Sequence, residues 1–150
     1  GMFMGIADGE GGRRMIPAAE LRLPCDKHDT QAAAALVALG WERVADSAPQ
    51  ILAWIQDVNW PVAAVFLPFL VAQGARLAPS IRPILASGDD VWKYYILACI
   101  VRQSPELAAA LGAELARLAD CPTSGERLEG VAQEAQEILA SPEWPATAGR

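Results

Sequence analysis

Apolar residues recur at helical spacing through most of this chain. Val62, Val65, Phe66, Phe69 and Leu70 fall at i, i+3, i+4, i+7 and i+8, one side of a helix. Leu67 and Val71 make the other side apolar too, which places this helix centrally. Extended along the chain, the same spacing predicts helices over about 30–39, 48–56, 60–73, 77–87, 90–103, 105–119 and 124–140, and no strand. The expected core of the last four is Leu77, Ile81, Ile84 and Leu85; then Trp92, Tyr95, Ile96, Cys99 and Ile100; then Leu107, Leu111, Leu115 and Leu118; then Leu128, Val131, Ala135, Ile138 and Leu139. Glu126, Glu129, Glu134 and Glu137 read as the solvated face of the last helix.

Polar and special residues punctuate these stretches. Asp29 or Thr30 caps the first helix and Gly40 ends it. Ser47 with Gln50, and Thr123 with Glu126, have capping-box spacing. Asn59 is the expected cap of the third helix, with Pro61 in its first turn and Gly74 at its end. Asp89 or Asp90 opens the fifth helix, and Ser104 caps the sixth. Pro68 and Pro83 fall inside helices and are expected to kink or distort them.

The connections are short, so neighbouring helices should be antiparallel, pairing second with third, fourth with fifth and sixth with seventh. One phrase is written twice. Residues 51–60 read Ile-Leu-Ala-x-x-x-Asp-Val-x-Trp, and 84–92 repeat it with one residue deleted before the tryptophan. The offset is 33 residues at Ile51/Ile84 and 32 at Trp60/Trp92. Periods of this size point to stacked helical hairpins.

An apolar helix, a turn with Asp, then Val or Trp opening a second apolar helix resembles the HEAT repeat, over roughly 48–73 and 77–103. Leu23-Pro24-x-Asp26-Lys27-His28-Asp29, Asp57-x-Asn59-Trp60-Pro61-Val62-Ala63 and Asp90-Val91-Trp92-Lys93-Tyr94 occur in that order. Together they resemble a small bacterial HEAT-like family of unknown function, over about residues 20–140. The resemblance implies an all-α fold and a bacterial cytosolic protein, and it implies no activity. Cys25 and the glycine-rich start stand outside the likeness. The expected fold is a short right-handed α-α superhelix of about three HEAT-like hairpins plus an N-terminal helix. It forms a single domain over 15–141. Residues 1–14, with Gly1 ahead of Met2 as an expression scar, and 142–150 are the expected tails.

Composition narrows the function. The net charge is −6, with 12 Lys and Arg scattered against 18 Asp and Glu, which disfavours nucleic acid and anionic membrane. The longest apolar run, Val62–Ala72, is too short to span a bilayer, and no apolar signal segment follows Met2, so a cytoplasmic location is expected. Cys25, Cys99 and Cys121 are odd in number and contain no Cys-x-x-Cys, which suits free thiols in a reducing compartment.

Chemistry-bearing motifs are sparse. His28, the only histidine, lies in Cys25-Asp26-Lys27-His28-Asp29. Cys-x-x-His offers two metal ligands where a structural zinc site wants four, so no metal or cofactor is expected. His28 and Asp29 could form a base and its orienter, but no nucleophile motif accompanies them; a small enzyme built on that pair is the alternative reading. A polar site at Asp26, Lys27, His28 and Asp29 otherwise reads as a helix entry. No catalytic residue is assigned. The turn residues Asp57, Asn59, Asp89 and Asp90 would line one edge of the stack, as caps or as an acidic rim. The candidate partner edge is Asp57, Asn59, Trp60, Asp90, Trp92 and Lys93; Tyr94 with Lys93 is a candidate surface pair that otherwise reads as a solvated face. Trp54, Trp60 and Trp92 have core spacing, but Trp60 and Trp92, at the repeat turns, could instead serve as anchors. The expected function is a non-enzymatic protein-binding module, monomeric or weakly dimeric, of the immunity or antitoxin kind with a basic partner. A nucleic-acid-binding HEAT-like protein is the second alternative.

Overall fold

The computed structural model describes residues 21–141. The tails expected at 1–14 and 142–150, and the first residues of the expected domain, lie outside them. The described residues are helical and contain no strand. Helix α1 (Thr30–Leu39) is followed by α2 (Trp41–Val44), a 3-10 turn (Ala45–Ser47), α3 (Ala48–Leu52) and a second 3-10 turn (Ala53–Gln56). Then come α4 (Pro61–Ala72), a third 3-10 turn (Gly74–Leu77), α5 (Ala78–Leu85) and α6 (Asp90–Ile96), which runs on as a π-helical turn (Leu97–Val101). The chain ends with α7 (Pro105–Ala110), α8 (Gly112–Asp120), α9 (Ser124–Leu128) and α10 (Val131–Ala140).

The predicted starts are largely those used. Asp29, Asp89 and Ser104 cap α1, α6 and α7 by accepting from Ala32, Trp92 and Leu107 N–H groups. Thr123 and Glu126 form both bonds of a capping box on α9. Gly40 ends α1 at φ +90° and Gly74 follows α4 at φ +61°, conformations that favour glycine. The Ser47 cap and its capping box are absent, because helical structure already runs in from Trp41. Asn59 does not cap α4 either. Trp60 holds the cap position in extended backbone, and the Lys27 carbonyl accepts from Val62 N at 3.1 Å instead. Pro68 and Pro83 sit within α4 and α5 without ending them.

Two predicted helices are divided. The sixth breaks at Leu111, just before Gly112. The seventh breaks at Gly130, whose φ of +86° no helix accommodates, and whose Cβ position lies 3.5 Å from the Tyr94 ring. That break overturns the single apolar stripe read across it: Val131, Ala135 and Ile138 are buried, but Leu128 is 83% exposed.

One continuous core runs from Ala33 to Ile138. Phe66, Ile51, Leu52, Ile55, Leu70, Leu77, Ile81, Ile96 and Ile100 are fully buried in it. α1 packs on α4, α7 on the Gly74–Leu77 turn, and α10 on α8. Leu107, Leu111, Leu115 and Leu118 are all buried despite the break among them.

Candidate functional site

The segment ahead of α1 is a tight polar loop on a buried Pro24. Asp26 Oδ1 accepts from His28 N at 2.9 Å, and Asp29 N donates to the Asp26 carbonyl. The Asp29 carboxylate accepts from Arg22 Nη1, Cys25 N and Ala32 N. These bonds, Arg22 foremost, hold its carboxyl well below the usual carboxylate range. The His28 ring is exposed and makes no hydrogen bond to Asp29 among the described residues, so the base-and-orienter geometry is not formed here. Lys27 is exposed, and its carbonyl on Val62 N joins this loop to the start of α4. Asp26, Lys27, His28 and Asp29 therefore act together as a helix entry and an interhelical tie.

At the first repeat turn, Asp57 Oδ1 accepts from Asn59 N at 2.9 Å and the Asp57 carbonyl accepts from Trp60 N. Asn59 is exposed. Trp60 is half-buried and meets Trp54 edge-on, with ring centroids 5.7 Å apart. At the second turn, the half-buried Trp92 donates from Nε1 to the Leu52 carbonyl at 3.1 Å. The two repeated tryptophans thus take different partners, one within its own hairpin and one in the hairpin before. Trp60 stands in extended backbone ahead of α4, whereas Trp92 lies within the first turn of α6, which accounts for the change.

Lys93 is not at the surface. It is 2% exposed, with Nζ 2.8 Å from Asp90 Oδ1 and 2.7 Å from Glu126 Oε2. Glu126, 1% exposed, also accepts both Arg117 Nη atoms at 2.8 Å and Thr123 N at 2.9 Å. The bidentate Arg117 bonds, then those of Lys93, hold its carboxyl down at about 2 against the opposing effect of burial. The surface pair of Lys93 with Tyr94 is therefore replaced by a buried charge cluster. Glu134 is buried as well, paired with Arg102, which also reaches Glu137 at 2.6 Å. The solvated acidic face expected on the last helix is thus corrected: Glu126 and Glu134 point inward, and Glu129 is exposed.

Arg117 and Arg102 carry these clusters and went unnoticed in the sequence. A signal existed for Lys93. It heads the stripe Lys93, Ile96, Leu97, Ile100 and Val101, so it starts on the buried side. The capping-box spacing of Thr123 and Glu126 likewise turns that carboxylate back toward the backbone.

No group of three or more His, Cys, Asp or Glu side chains among the described residues is placed to hold a metal ion. Nor is any described helix long and apolar enough to cross a membrane. What the geometry defines is an all-helical domain with a polar entry loop, a tryptophan-bearing turn and a buried ionic cluster. Residues 22–139 match the model of a family described as Domain of unknown function (DUF5071), and the chain belongs to that family. No curated protein matches it.

Proposed function

We infer that this domain is a non-enzymatic protein-binding module of the bacterial cytosol, monomeric or weakly dimeric, that masks a basic partner in the manner of an immunity or antitoxin protein. Its helices form a short right-handed stack of HEAT-like hairpins. Two bonds between elements far apart in the chain support a stacked arrangement. Leu52 and Leu85 are one repeat apart, and each carbonyl accepts from a side chain further along the chain: Trp92 at 3.1 Å and Arg117 at 3.5 Å.

The observation that carries the functional reading is the edge-on pair of half-buried indoles, Trp54 and Trp60, beside Asp57 and exposed Asn59, with the half-buried Trp92 bonded to the Leu52 carbonyl that precedes them. Partly exposed tryptophan set in a polar rim is the usual make-up of an interface anchor. Asp90, Trp92 and exposed Asp89 extend the edge at the second turn. Lys93 underlies the edge and does not reach a partner. The net charge of −6 complements a basic protein.

The test is affinity capture from a bacterial lysate with wild type and an Asp57→Lys/Asn59→Lys pair, both checked for native circular dichroism. A basic protein held by wild type and released by salt should be lost from the pair. Recovery of the same proteins by both rules out the acidic edge.

A further inference from the structure

A groove of about 340 Å3 lies between α5 and α8. Leu85, Ala86 and Ala113 give it an apolar lining, and Arg82, Glu114 and Arg117 are its charged groups. Arg82, with a side chain 47% exposed, has Nε 3.2 Å from Glu114 Oε2 and donates from Nη2 to the Ala110 carbonyl at 3.1 Å. Its Nη1 has no partner among the described residues. Arg117, 43% exposed, gives both Nη atoms to Glu126 and also to the Cys121 and Leu85 carbonyls, and leaves only Nε without a partner among the described residues. Glu126 is itself fixed by Lys93 and the Thr123 N–H, so the Arg117 guanidinium is held in place before any ligand arrives. Two partly exposed guanidiniums, one paired with Glu114 and one with Glu126, thus border the apolar lining, and each keeps one nitrogen, Arg82 Nη1 and Arg117 Nε, without a partner among the described residues.

We propose that this groove binds an acidic peptide segment of a protein partner, a carboxylate side chain bridging Arg82 and Arg117 while a neighbouring apolar side chain rests on Leu85, Ala86 and Ala113. Guanidinium donors match a carboxylate in geometry and charge, and an arginine already immobilised loses little freedom on binding. Glu114 competes for Arg82. The groove shares no lining residue with the tryptophan edge and calls for a ligand of opposite charge, so either proposal can fail alone.

The experiment follows the Nε–Hε resonances of Arg82 and Arg117 in the isotopically labelled full chain. The probes are acetyl-leucyl-glutamyl-leucine amide, its glutaminyl analogue and inorganic phosphate. Both resonances should shift saturably with the glutamyl peptide, and the glutaminyl analogue should bind about tenfold more weakly. Arg82→Gln should weaken the glutamyl peptide about tenfold, and Glu114→Gln should tighten it about threefold by removing the rival carboxylate. No saturable shift, equal affinity for the two peptides, or weakening by Glu114→Gln overturns the proposal. A response to phosphate alone makes the groove a site for free anions and overturns it too.

Discussion

Glu126 shows what a single buried carboxylate does here. Its four acceptor contacts draw together α6, α8 and α9, and its pKa lies near 2 against an ordinary 4.5. A folded-state value below the unfolded one means that the group stabilises the fold fully above about pH 4.5, and that this is lost as pH falls toward 2. Urea unfolding over that range should therefore show a falling midpoint, and Glu126→Gln should flatten the slope. At neutral pH the same substitution should cost about 3 kcal/mol, because it leaves Lys93 buried with a weakened counter-charge. A Glu126→Gln protein with wild-type acid sensitivity would mean other carboxylates control it.

Close approach of elements is set by two small features. The Cβ position of Gly125 lies 2.3 Å from Asp90 Oδ2, and Asp90 cannot swing away without disturbing its 2.8 Å pair with Lys93. Gly125→Ala should destabilise by about 1–2 kcal/mol. In an Asp90→Ala background the added cost should vanish, a coupling that a double-mutant cycle measures. The Trp92 indole ties α6 to the carbonyl of Leu52 across forty positions of sequence. Trp92→Phe keeps a ring but removes that donor, and should lower stability by about 1 kcal/mol in denaturant titration. A neutral result would make the ring, not the bond, the link between hairpins.

Across the whole domain the apolar interior is unbroken from α1 to α10. Helices sharing one interior should unfold together, so far-ultraviolet dichroism and tryptophan fluorescence should give the same thermal midpoint. Phe66→Ala, at the buried centre of α4, should lower both equally and cost about 3–5 kcal/mol. Separate midpoints would show that the helices melt as independent units.

Helix positions, most caps and the apolar stripes of α4, α5 and α7–α8 were legible in the residues, because they depend on neighbours three or four positions away. The candidate edge was legible only as a set of turn residues. Asp57 and Asn59 make local bonds that short-range chemistry predicts, but where Trp92 lands depends on which helix lies opposite. Stripe and capping-box spacing hinted at the inward course of Lys93 and Glu126, but their pairing, and the burial of Glu134 on Arg102, were hidden for the same reason: a charged side chain is buried only where a counter-charge from a distant element meets it. Leu128 was misplaced because one glycine at positive φ redirected the chain between two stretches of the same apparent period. Periodicity thus fixes which residues share a face of an element. Which faces meet, and which charges they enclose, follows from packing among elements that are far apart in the chain.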